Sequence, residues 1–76
     1  MKTKIGIYPG TFDPLTYGHL DIIRRSLKIV DKLIIGIADS DNKKPLLSIE
    51  KRKAIIQNDL QLHFSDTEKI LIKKVF

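Results

Sequence analysis

The sequence has no cysteine and no tryptophan among its 76 residues. Without cysteine there is neither a disulfide nor a thiolate metal site to staple a chain of this size, which lies near the limit where burial only just offsets chain entropy. Packing, a ligand or a partner must supply what a staple would. Absence of cysteine also fits an intracellular setting. No run approaches the ~20 apolar residues of a membrane span, and the opening MKTKIGIYPGTFD lacks the apolar core of about 7–15 residues that marks a signal peptide. The chain therefore reads as soluble and cytoplasmic, with no membrane partner.

Two familiar routes to phosphate binding are missing as well. The dinucleotide fingerprint of glycines is absent, and so is the Gly-Lys-Ser/Thr of a P-loop. There is no internal repeat, low-complexity tract or linker. Charge is present in excess of one sign: 14 Lys and Arg against 9 Asp and Glu give a net charge of +5. That favours anionic partners such as nucleotides, phosphate esters or nucleic acid. The basic residues are dispersed, and aromatic residues do not interleave with them as stacking platforms, which argues against nucleic acid.

What is there alternates. Residues 4–8, KIGIY, read as a strand that stops at Pro9-Gly10. From Gly18 to Val30, Leu20, Ile23, Leu27 and Val30 recur at spacings of three and four, the stripe of one helical face. Lys32 to Ala38, KLIIGIA, is apolar on both faces, as expected of an inner parallel strand covered from both sides. A polar loop follows over Asp39 to Pro45. Ser48 is a candidate N-cap for a second helix through about Leu60, whose face of Ile49, Ile56 and Leu60 is interrupted by Lys53. Ser65 to Lys69 is a turn, and ILIKKVF a third strand. The order implies an α/β fold, a Rossmann-like parallel sheet built as βαβαβ with two right-handed crossovers.

In such a sheet ligands bind beyond the carboxyl ends of the strands, where PGTFDPLTYGH falls. Gly10 would let a ligand approach the backbone, and Thr11 offers a hydroxyl. Gly18 and His19 stand at the helix N-terminus, where unpaired amides and the positive dipole end attract phosphate. Singly, these residues would be a turn glycine, a loop-bracing Asp13 and a surface histidine. Their joint order on the ligand edge points to phosphate.

The segment Thr16-Tyr17-Gly18-His19 resembles the (His/Thr)-x-Gly-His signature of the nucleotidyltransferase superfamily. The longer pattern YPGTFDPLTYGHLDIIRRS followed by KKPLLSIEKR is similar to bacterial phosphopantetheine adenylyltransferases. The resemblance implies transfer of the adenylyl group of ATP to 4′-phosphopantetheine, giving dephospho-coenzyme A and pyrophosphate in coenzyme A biosynthesis, with Mg²⁺ on the triphosphate. It implies that His19 contacts the ATP phosphates and stabilises the transition state, and that Thr11 touches both ATP and the attacking phosphate. Gly10 and Phe12 would line the nucleotide side, and Lys43, or Lys44 if the register slips, would bind the substrate phosphate. Thr16 stands where relatives carry a first histidine and retains one hydrogen-bond donor.

The resemblance covers roughly the first half of a family chain. The family's RGLR stretch, its acidic and aromatic nucleotide contact and its ISSS helix start do not occur in these residues. Residues 1–76 are thus expected to be the N-terminal half of a nucleotidyltransferase domain. Alone, that half is expected to be inactive or nearly so, with an open edge on its first strand, and incompletely stable or dependent on self-association; family members are homo-oligomers, hexamers. The alternative is a non-catalytic nucleotide-binding or assembly fragment.

Overall fold

Three isoleucine-rich segments make the sheet: β1 (Ile5–Gly10), β2 (Lys32–Ile37) and β3 (Ile70–Lys74). Between them lie α1 (Tyr17–Ser26) and α2 (Ile49–His63), with a 3-10 turn at Thr67–Lys69 leading into β3. The computed structural model describes residues 2–39 and 47–75. All strands are parallel in the order β1-β2-β3, with Ile7 level with Ile34 and Ile34 level with Leu71. This is the expected Rossmann-like βαβαβ half-fold.

β1 runs on through Pro9 and Gly10, the two residues expected to end it in a turn. The carbonyls of Lys4 and Gly10 accept from Lys32 and Ala38 respectively, so the even-numbered residues of β1 face β2. The N–H that Pro9 lacks would therefore point off the free edge, where no ladder bond is lost. α1 ends at Ser26, four residues short of the apolar pattern. Residues 27–29 form turns instead, and Val30 and Asp31 leave the helix to meet β1: Val30 lies against Gly6, and Asp31 accepts from the Lys4 N–H at 2.7 Å. Ser48 caps α2 as expected, accepting from the Lys51 N–H.

Both crossovers step the same way across the sheet, so right-handedness puts both helices on one face. Leu20 and Ile23 of α1 and Ile56 and Leu60 of α2 meet Leu33, Ile35 and Ile37 of β2 in a single core. The expectation that β2 is covered from both sides is corrected here. On the opposite face Ile7 is 66% and Leu71 50% exposed, and Ile34 is only half-buried. β2 reads as apolar on both faces because the core takes one side and neighbouring side chains, such as Val75 over Gly36, partly shield the other. Among the described residues no helix is long and apolar enough to cross a membrane.

Candidate active site

The connection from β1 to α1 turns sharply at the carboxyl edge of the sheet. Phe12 takes a φ of +48°, while none of the described glycines has a positive φ. A non-glycine residue in that region costs roughly 1–2 kcal/mol and persists only where packing holds it. Here the ring is 1% exposed, sunk into the core cluster. It meets Tyr8 edge-on at 5.2 Å between centroids and lies 4.9 Å from the imidazole of His19. A Cβ on Gly10 would stand 3.1 Å from the Phe12 Cε2, so the close approach that Gly10 permits is used by the protein's own ring. The side chain of Phe12 is thus a floor beneath His19.

Thr16 is the N-cap of α1, a role not assigned from sequence. Its Oγ1 accepts from the His19 N–H at 3.4 Å, and its own N–H donates to His19 Nδ1 at 2.9 Å. The pattern is a capping box with histidine in the place of Glu or Gln. Thr-x-x-His immediately before the first residue of an apolar stripe was the signal available. The bond decides the chemistry of the ring. Nδ1 can accept only if it carries no proton, so the neutral imidazole holds its hydrogen on Nε2, as a donor facing away from the cap.

Partial burial lowers the His19 pKa below the ordinary value of 6.5. The unfolded chain therefore binds more protons than the folded one between those two values. The contribution of this group to stability is complete above the ordinary imidazole value and is lost as pH falls from it through the folded pKa. Nitrogen-15 NMR of the imidazole is expected to show the Nε2–H tautomer at neutral pH and a midpoint below 6.5. A midpoint above that value, or an Nδ1–H tautomer, would contradict the capping geometry.

Of the residues singled out from sequence, Gly10, Phe12 and His19 are packed together, and Thr11 is exposed beside them with its carbonyl accepting from Arg52 Nη1 at 2.9 Å. Asp13 braces the loop, as its bland reading had it, accepting from the Leu47 N–H at 2.9 Å. Lys43 and Lys44 lie outside the described residues. Arg52 is the residue that sequence reasoning missed. It is 2% exposed and joins Leu47, Thr11, Ala38 and Asp39.

The chain is similar to known proteins in both sequence and fold. Residues 7–71 match the cytidylyltransferase-like family model. The chain belongs to the cytidylyltransferase-like family. Within it, the chain is similar over 61 residues to the phosphopantetheine adenylyltransferase of Wolbachia pipientis subsp. Culex pipiens, at 54% identity, covering 80% of this chain and 36% of that one. The enzyme of the same name from Lachnoclostridium phytofermentans is 56% identical over 54 residues, 71% of this chain and 33% of its own. The matched stretch spans about a third of the length of these curated relatives. A bifunctional NMN adenylyltransferase/ADP ribose pyrophosphatase from Francisella tularensis, complexed with AMP and a Mn ion, superposes with a TM-score of 0.86 at 32% identity, over 97% of this chain and 23% of that one. Nicotinic acid mononucleotide adenylyltransferase of Plasmodium falciparum, at 24% identity and a TM-score of 0.80, shares the fold.

Proposed function

We propose that this chain supplies the nucleotide corner of a phosphopantetheine adenylyltransferase. ATP binds with its phosphates over the N-terminus of α1, and the phosphate of 4′-phosphopantetheine attacks the α-phosphorus in line. A P–O bond forms to the attacking oxygen while the α–β bridging bond breaks, and pyrophosphate leaves without a covalent enzyme intermediate. Such a reaction asks for positioning and for donors around the charged transition state. The observation that carries the reading is His19 with its Nδ1 committed to the Thr16 N–H, which leaves Nε2–H as a fixed donor at the ligand edge. The Thr11 hydroxyl and the first amides of α1 are further donors there. Lys43, by its match to the family pattern, would take the substrate phosphate.

The donor set of this corner consists of hydroxyl, amide and imidazole N–H groups, which address phosphate oxygens. Among the described residues no group of three or more His, Cys, Asp or Glu is placed to hold a metal ion. Mg²⁺ then belongs to the triphosphate and its waters, an arrangement its octahedral chemistry favours. Carried so, it neutralises phosphate charge. No step of the proposal is assigned to a protein-held ion.

One observation favours a second reading. The free edge of β1 and the exposed Ile5, Ile7 and Leu71 are a surface that a self-sufficient enzyme domain would cover. On this reading the chain is a nucleotide-binding or assembly fragment, and self-association is expected of it. Calorimetric titration with ATP and Mg²⁺, alongside pyrophosphate release in the presence of 4′-phosphopantetheine, separates the two. Turnover supports the first reading, and nucleotide binding without turnover supports the second. Neither binding nor turnover would remove both.

A further inference from the structure

A cation buried to 2% exposure is costly unless its hydrogen bonds are made, and Arg52 makes them almost wholly to backbone. Nε donates to the Leu47 carbonyl at 3.1 Å, Nη1 to the Thr11 carbonyl at 2.9 Å and the Ala38 carbonyl at 3.3 Å, and Nη2 reaches Asp39 Oδ1 at 3.5 Å. These atoms come from three places: the loop after β1, the end of β2, and the entry to α2. The same entry is tied a second time, through the Leu47 N–H, to Asp13 of the β1 loop. If stability were the whole purpose, an apolar side chain of similar volume would serve as well or better. What the planar fork adds is direction, since its donors fix the orientation of several peptide planes at once.

We propose that Arg52 is a positioning residue that sets the Thr11–Phe12 peptide plane, and through it the Thr11 hydroxyl and the left-handed turn at Phe12, against the end of β2. Phe12 in turn floors His19, so one guanidinium orders both side chains of the nucleotide corner. The role of Thr11 toward a nucleotide rests on the function proposed above; the holding of its backbone does not. Lysine cannot substitute, because three donors radiating from one nitrogen cannot span carbonyls on three segments.

Three measurements test this. In the wild-type chain, the Arg52 guanidinium hydrogens are expected to exchange with solvent at least tenfold more slowly than those of the exposed Arg25. Equal rates would overturn the proposal without any variant. In Arg52→Lys, amide exchange at Thr11, Phe12 and Asp13 is expected to rise at least tenfold relative to the β2 amides of Ile35 and Ile37. A uniform rise would mean that Arg52 only stabilises, and would sink the idea. The Kd for MgATP is expected to rise about tenfold in Arg52→Lys; a Kd equal to wild type alongside loosened Thr11 amides would remove the link from Thr11 to nucleotide. If the wild-type chain itself does not bind MgATP, the nucleotide reading fails, and the two exchange measurements still decide whether Arg52 holds the loop.

Discussion

Phe12→Ala is expected to lower the unfolding free energy by about 3–5 kcal/mol, the range for removing a buried aromatic ring. A chain of this length has roughly 4–11 kcal/mol in total, so at the lower end the variant is unfolded at room temperature. Three features put the loss at the upper part of the range. The ring is buried to 1% exposure, it makes an edge-on contact with Tyr8, and it fills the space beside the α-carbon of Gly10. Alanine also keeps a Cβ, so the cost of the positive φ stays while the packing that balances it goes. Phe12→Leu, which refills part of the volume, is expected to lose less than half as much. Urea titration followed by circular dichroism measures both, and a loss under about 1 kcal/mol for the alanine variant would mean that the ring is not held in the core as described.

Much of this architecture could be read from residue spacing, and the exceptions have physical causes. β2 is visible as a short run apolar on both faces and α1 as a stripe at spacings of three and four. The handedness of crossovers says only which face of the sheet each helix covers once the strand order is known. The end of α1 was overrun because Leu27 and Val30 continue the spacing of Leu20 and Ile23 and pack against the core although both lie outside the helix. Periodicity records which residues face the core and is blind to the backbone that carries them there. The bare second face of the sheet was not foreseen either, since an apolar strand reads the same whether one or both of its faces are covered.

Within the site, His19 was legible because its chemistry and its place at the head of a helix both point to phosphate. Its tautomer was not, because that depends on one hydrogen bond from Thr16. Arg52 is the instructive omission. It falls at the spacing of the apolar stripe, between Ile49 and Ile56, where a buried side chain is due. Residue spacing alone puts the interruption at Lys53, which is exposed. A charged residue on a buried stripe is a signal in its own right, because burial of its head group requires partners that only the tertiary structure can bring. Those partners are carbonyls at the ends of other segments, and no local pattern announces them.

The neutral tautomer of His19 makes the second large expectation one of chemistry. His19→Ala removes both the Nδ1 acceptor and the Nε2–H donor, and MgATP affinity is expected to fall by roughly 10–100-fold, the equivalent of one charge-assisted hydrogen bond of about 1.5–3 kcal/mol. It also loses one half of the capping box, which is worth about 1 kcal/mol of stability. His19→Gln separates the two effects. Thr-x-x-Gln is a regular capping box, so the carbonyl of the introduced amide can take the Thr16 N–H while its nitrogen still donates, though from a different point in space. Stability close to wild type with an intermediate loss of affinity is expected. His19→Lys supplies a full positive charge and no acceptor for the Thr16 N–H. If a fixed neutral donor is what the phosphates meet, lysine restores less affinity than glutamine, and raising the salt concentration leaves the order of the two variants unchanged. If lysine instead binds as well as wild type, the corner works by charge alone, and the hydrogen bond from Thr16 to Nδ1 has no part in recognising the nucleotide.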